Sequence, residues 1–232
     1  MTLNILKSLQ NYFRSEPPPE IIAQQLRHPS GDLAEEIGNK MNEANEPLYD
    51  LVLDVMQIEN YDKILEIGFG NGKFFNRLFK RAEGLQVMGI DYSQEMVRAA
   101  KRINNRFIAS EKLNLQRGNS DQLPYSDHCF DKVFCNMVIY FWDEPETHLS
   151  EIHRVLKSDG KFYAGLRSHK SMLNFPFVKY GFTLFKVDEW KRILVENEFS
   201  FLDIQTKLDP EMKFNGNEFQ LESCCIVAAK GL

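Results

Sequence analysis

The residues best suited to chemistry stand together early in the chain, as Glu66-Ile67-Gly68-Phe69-Gly70-Asn71-Gly72. They follow directly on the apolar run that begins at Lys63. Glycines at this spacing let the backbone turn sharply and let a ligand approach it closely. Three kinds of loop compete for the reading. A dinucleotide fingerprint needs G-x-G-x-x-G/A, and counting from Gly68 its last position falls on Lys73. A phosphate-cradling P-loop needs G-x-x-x-x-G-K-[ST]. Gly72-Lys73 is present, but Ile67 stands at the first glycine and Phe74 at the hydroxyl. The pattern E-x-G-x-G-x-G after a hydrophobic strand matches at every position.

Such a loop works only at the end of a strand that feeds a helix. From Lys63 the chain alternates the two. Strands are expected at 63–67, 86–90, 113–117, 131–136 and 161–166, with helices at 73–82, 93–104, 145–156 and 187–196 between and after them. Two further strands, 199–207 and 222–229, close the chain. Only the turn-rich stretch 209–217 separates them, so one should run antiparallel to the rest. The alternation implies a doubly wound, mostly parallel α/β sheet with helices on both faces. Before it come added helices: Leu3, Leu6, Leu9 and Phe13 mark a first apolar face, and Pro17-Pro18-Pro19 ends that segment. Ser30 is placed to cap a helix over 31–44. Asn45 is placed to cap another, with Pro47 in its first turn and Leu48, Leu51, Val52 and Val55 inward. The expected organisation is a helical cover over 1–58 and a core over 59–232.

Bulk properties narrow the partners. The 232 residues carry a net charge of −5, with 43% hydrophobic and 26% charged residues. That is a folded domain without the basic excess that phosphate binding requires, so no nucleic-acid partner is expected. No run is apolar enough over sufficient length to span a bilayer. Cys129, Cys135, Cys224 and Cys225 form no C-x-x-C pair, which suggests a reducing, cytoplasmic setting. No histidines join them at ligand spacing. His148 and His153 read as helix residues, so no metal is expected.

The E-x-G-x-G-x-G loop, Gly89-Ile90-Asp91-Tyr92-Ser93, Gly118-Asn119-Ser120 with Leu123-Pro124, the strand from Phe130-Asp131 to Asn136, and Glu151 to Lys157 followed by Asp159-Gly160-Lys161 occur in order. Together they resemble class I S-adenosylmethionine-dependent methyltransferases over roughly residues 60 to 230. In detail they look closest to the methyltransferase type 11 domain group, whose members methylate small molecules. The resemblance implies a seven-stranded Rossmann-like fold, S-adenosylmethionine as cofactor and a small-molecule acceptor. It implies that Glu66 faces the cofactor's ammonium and that Gly68, Phe69, Gly70 and Gly72 make room for the methionine part. Asp91, nineteen positions after Gly72, would accept the ribose hydroxyls. Tyr92 and Met96 would line the adenine, and Asn136 and Met137 complete the cofactor set. Asn119 with Ser120 would read the adenine edge. Asn119 departs from the family's aspartate, and Asp121 could take over the acceptor role.

Methyl transfer from a sulfonium needs alignment more than acid–base help. A base matters only for an acceptor that keeps its proton until attack. Tyr140 is the candidate after the fourth strand, with His128 behind it, and each also has a plain reading, Tyr140 as pocket wall and His128 as solvated loop. The absence of an Asn/Asp-Pro-Pro-Tyr/Phe turn at Asn136-Met137-Val138-Ile139 speaks against nucleobase N-methylation. The aromatic stretch from Met172 to Phe185 could wall an acceptor pocket or simply cover the core. A non-catalytic S-adenosylmethionine-binding subunit is the alternative function. A nicotinamide oxidoreductase is disfavoured by Lys73.

Overall fold

A computed structural model describes residues 17–214 and 217–231. The amphipathic segment Leu3 to Phe13 lies outside the described residues. Seven strands form one sheet: Lys63–Ile67 (β1), Gln86–Asp91 (β2), Leu113–Arg117 (β3), Phe130–Asn136 (β4), Leu156–Arg167 (β5), Phe199–Leu208 (β6) and Glu222–Lys230 (β7). Their order is β3-β2-β1-β4-β5-β7-β6. Strands β1 to β5 pair in parallel, and β7 runs antiparallel to both β5 and β6. The link between β6 and β7 holds a small hairpin of its own, Met212–Phe214 with Asn217–Phe219. The winding direction reverses between β1 and β4. Connections leaving neighbouring strands in opposite directions open a crevice at their C-terminal ends. The glycine loop lies there.

Side-chain alternation along the strands gives the sheet two buried faces. Leu65, Val133, Cys135 and Phe162 pack with Leu149, Ile152 and Val155 of the helix Pro145–Val155 and with Trp190 and Leu194 of the helix Val187–Glu196. Ile64, Val87, Leu115, Phe134 and Tyr163 face the other way, onto Leu48, Val52 and Met56 of the helix Ala34–Met56. Each such fully buried side chain contributes about 1.5–3 kcal/mol. In chain order the helices are Pro19–Arg27 (α1), Ala34–Met56 (α2), Phe75–Leu78 (α3), Gln94–Ile103 (α4), Asn105–Ala109 (α5), Pro145–Val155 (α6), His169–Met172 (α7) and Val187–Glu196 (α8). No helix among the described residues is long and apolar enough to cross a membrane.

Two local readings change. The expected pair of helices over 31–58 is one helix, α2, which runs through Pro47. The proline removes one backbone hydrogen bond. The helix holds because Leu48 and Val52 beyond it are fully buried, and because Glu46 and Asp50 on either side both grip Arg77. The helix expected over 73–82 shrinks to α3. Its C-terminal bonds are the short-range Lys80 N–H to Arg77 O and Arg81 N–H to Leu78 O, at 3.2 and 3.0 Å, which tighten the chain into turns. Helix α4 begins as read, with the Ser93 Oγ accepting the Met96 N–H at 3.2 Å.

Candidate functional site

The crevice deepens into a cavity of about 460 Å³, a size suited to a nucleoside-bearing small molecule. Its floor is the glycine loop. Gly68 lies at φ 71° and its N–H donates to Ile90 O at 2.8 Å, which fastens β1's end to β2. A Cβ there would stand 2.4 Å from Val138, so only glycine lets the loop lie against the turn after β4. Gly70, at φ 58°, faces open space. Its N–H donates to Asp91 Oδ2 at 2.8 Å, while the Ser93 N–H donates to Asp91 Oδ1 at 2.8 Å. Asp91 is 8% exposed, and burial pushes its carboxyl up to about 6, against the pull of those two N–H bonds. A carboxylate so placed keeps lone pairs free for hydroxyl donors.

Gly68, Gly70, Asp91, Tyr92, Met96, Asn119, Ser120, Asn136 and Met137 all line this cavity. Met96 does so while 1% exposed, so it is wall and core at once. Tyr92 is open to solvent on one side and meets the His28 ring edge-on at 4.7 Å. Asn119 is occupied at both ends: its Oδ1 accepts the Ser120 N–H at 2.9 Å and its Nδ2 donates to Asp121 at 2.7 Å. Asp121 lines the cavity beside it.

Five candidates fall outside the lining. Phe69 packs on Phe75 in the core. Gly72 gives clearance to α4, where a Cβ would come within 2.8 Å of Ala100. Glu66 sits beneath the loop and accepts the Tyr49 hydroxyl at 3.1 Å. Burial pushes it up to about 8 against that bond, with the Asp91 charge adding, so it is mostly protonated at neutral pH. Tyr140, the candidate base, is a strut: its hydroxyl donates to Arg167 O and accepts the Arg167 N–H, both at 2.8 Å. Burial pushes its hydroxyl far above the usual range, so it stays protonated and does not serve as a base. His128 precedes β4, at the opposite end of the sheet, beside Leu156 O and Lys230. The aromatic segment does not wall the cavity. Met172 is buried, and Phe175, Phe182 and Phe185 pack against the core beside α6 and α8.

Sequence reading missed His148. Its Nδ1 lies 2.8 Å from Ser120 Oγ, and its ring stacks on Trp142 at 4.7 Å and 8°. Burial lowers its pKa, opposed by Asp121 and Asp143, so the ring stays neutral. A signal existed: the first turn of a helix that follows β4 must sit beside the crevice, and Pro145 marks that turn. The N-terminal elements also close on the site. Arg27, His28, Pro29 and Met41 line it, Arg27 pairs with Asp143, and the Ser93 Oγ donates to Pro29 O at 2.6 Å. Asn39 and Asn42 of α2 hold the loop's Asn71, at 3.1 and 2.8 Å.

A glycine floor at the sheet's switch point and a buried acid at the end of β2 define a doubly wound α/β protein with its cavity at the C-terminal ends of the strands. Comparison with known proteins narrows this. The family model described as a methyltransferase domain matches residues 65–164. The protein YrhH of Bacillus subtilis is 32% identical over 116 residues, covering 50% of this chain and 63% of that protein. A demethylmenaquinone methyltransferase of Lactobacillus johnsonii is 30% identical over 128 residues, covering 54% and 51% respectively. The matches thus span less than two thirds of these relatives' own lengths. The crystal structure of YcgJ from Bacillus subtilis superposes with a TM-score of 0.68 at 19% identity, covering 81% of this chain and 99% of that one, a likeness of fold. Over residues 65–164 the chain thus matches a methyltransferase domain, and its fold is that of the solved methyltransferase-like neighbours.

Proposed function

We propose that the protein is an S-adenosylmethionine-dependent methyltransferase acting on a small molecule. The observation that carries the reading is Asp91: a buried carboxylate, anchored by the Gly70 and Ser93 N–H groups, opening on a cavity of nucleoside size. The residues present fit the cofactor. Asp91 would take the ribose hydroxyls, Tyr92 and Met96 the adenine faces, and Asp121 with Asn119 and Ser120 the adenine edge. Gly68, Gly70, Met137 and the backbone of Asn136 would hold the methionine part. The bound cofactor supplies an electrophilic methyl on a sulfonium leaving group. The protein's own part is then to align and to exclude water, which Met41, Val138, Phe141 and Trp142 do as apolar walls. A base is not built into the walls: Tyr140 is committed elsewhere, and His148 is tied to Ser120. That suits an acceptor that is nucleophilic once desolvated. The net charge of −5 and the carboxylates Asp121, Asp143 and Glu144 at the cavity speak for a small molecule over a polyanion. The reading includes a cytoplasmic location, in keeping with four cysteines that are all free thiols.

Titration calorimetry decides the cofactor. S-adenosylhomocysteine is expected to bind, and NAD and ATP are not; tight NAD binding with no heat from S-adenosylhomocysteine would sink the proposal. Release of S-adenosylhomocysteine with candidate acceptors separates an enzyme from a non-catalytic binding subunit. The cover is testable in the same complex. Arg27 to Pro29 and Met41 line the cavity, so ligand should slow hydrogen exchange over residues 20–58. Identical exchange there, while residues 68–72 respond, would mean the N-terminal helices do not close on the cofactor.

A further inference from the structure

Gly70 and Gly72 both hold left-handed φ, at 58° and 70°, so the loop carries a glycine's freedom on either side of Asn71 and needs outside contacts to keep one shape. Two contacts fix its ends: the Gly70 N–H donates to Asp91 Oδ2, and Gly72 O accepts from Asn104 Nδ2 at 2.9 Å. The middle is held by Asn71, which is 6% exposed. Its Oδ1 accepts from Asn42 Nδ2 at 2.8 Å and from the Lys73 N–H at 3.3 Å, and its Nδ2 donates to Asn39 Oδ1 at 3.1 Å. Asn39 and Asn42, three residues apart, share one face of α2. Gly38 permits the helix to come so near: a Cβ there would lie 3.1 Å from Met96 Sδ and 3.4 Å from Asn71 Nδ2. The three asparagines do not line the cavity, although Met41 and Met96 beside them do. Their reach into the cavity is through the backbone of the loop.

We propose that Asn71 is a positioning residue for the cofactor site. Clamped by Asn39 and Asn42, it sets the direction of the neighbouring Gly70 N–H, and that N–H orients the Asp91 carboxylate. The path runs from α2 through Asn71 and Gly70 to Asp91, with a hydrogen bond or one peptide unit at every step. Cofactor affinity therefore depends on how α2 is seated. The physical basis is preorganisation: a loop already in its bound shape spends no binding free energy on ordering itself. By linkage the reverse also holds, and a cofactor that fixes Asp91 and Gly70 tightens α2 on the loop. An asparagine suits the task because one carboxamide supplies both an acceptor and a donor, and the glycines on either side supply the turn. The identity of the ligand rests on the methyltransferase reading; the clamp does not.

The test uses the full chain, with S-adenosylhomocysteine as the probe in titration calorimetry and hydrogen exchange read at single amides by NMR. Asn42→Ala and Asn71→Ala are each expected to weaken S-adenosylhomocysteine about tenfold, the size of one hydrogen bond, and the double variant to be little worse than either. The same Asn42→Ala change made in Asp91→Ala is expected to cost less than twofold, because the carboxylate that the clamp orients is gone. A clamp that served stability alone would lower the melting temperature in both backgrounds and leave both affinities unmoved. Two outcomes overturn the proposal: Asn42→Ala binding within twofold of wild type, or a tenfold cost that persists in the Asp91→Ala background. Asn42→Ala keeps the test standing where Asn71→Ala folds poorly. Should S-adenosylhomocysteine not bind the wild type at all, the methyltransferase reading fails on its own, and the free chain still decides the clamp. There the Gly70 amide is expected to exchange about tenfold faster in Asn42→Ala, and equal rates would overturn the proposal.

Discussion

Arg167→Met should unfold the protein more readily by about 3–5 kcal/mol, the usual cost of stripping one partner from a buried ion pair. Arg167 and Asp209 are 2% and 3% exposed at their side chains and pair directly. The Asp209 Oδ1 also accepts the Ser223 hydroxyl at 2.6 Å, and the Arg167 Nη2 donates to Ala44 O at 2.6 Å. One guanidinium thus joins β5, the link before β7, β7 itself and the middle of α2. Without it Asp209 is a buried charge with one hydroxyl for company. A fall of that size moves the melting temperature of a chain this long by on the order of 10 °C. The double variant Arg167→Met, Asp209→Leu should recover much of the loss, because an apolar pair of similar volume no longer has a charge to desolvate. Urea midpoints of the three proteins check this. A single variant within 1 kcal/mol of wild type would show that water reaches Asp209.

What sequence could and could not reveal divides along the distance between partners. The order of strands and helices was readable because each depends on local periodicity. The glycine loop and Asp91 were readable because a strand end, a turn and a helix start lie within a few residues of each other. The contacts that finish the site join residues far apart in the chain: Ser120 with His148, Asn71 with Asn42, Arg27 with Asp143. No spacing rule reaches across such gaps. Asn39 and Asn42 illustrate the consequence. That they meet the loop's Asn71 depends on where α2 lands on the sheet. Pro47 misled for a related reason. As a local signal it breaks a helix, and only the burial of Leu48 and Val52 and the grip of Arg77 override it. Tyr140 had the right position in the chain for a base. Its direction, toward the backbone of Arg167 and away from the cavity, was fixed by packing alone.

Asp91→Ala should weaken S-adenosylhomocysteine ten- to hundredfold at neutral pH, and the wild-type protein should lose affinity in the same way as acid is added. Hydrogen bonds to a charged acceptor contribute about 1.5–3 kcal/mol, which corresponds to that range of affinity. The pH dependence follows from burial. Asp91 titrates at about 6 in the folded chain against 3.8 in an exposed one. The ribose hydroxyls donate to the ionised form, so wild-type affinity should be flat above pH 6 and fall as pH drops below it. Stability runs the opposite way. Between pH 3.8 and 6 the folded chain holds the proton more tightly than the unfolded chain, so this group's contribution to stability rises as pH falls through that window. The full two-unit difference corresponds to about 3 kcal/mol. Glu66, pushed up to about 8 by the same burial, adds a slope of the same sign at higher pH. A site that keeps two acids out of water is therefore most comfortable protonated and most useful ionised, and ligand binding pulls Asp91 toward the useful form. Calorimetry from pH 5 to 8 on wild type and Asp91→Ala reads both effects. Loss of the acid slope in the variant is the expected result. If wild type and variant show the same slope below pH 6, Asp91 does not meet the ribose.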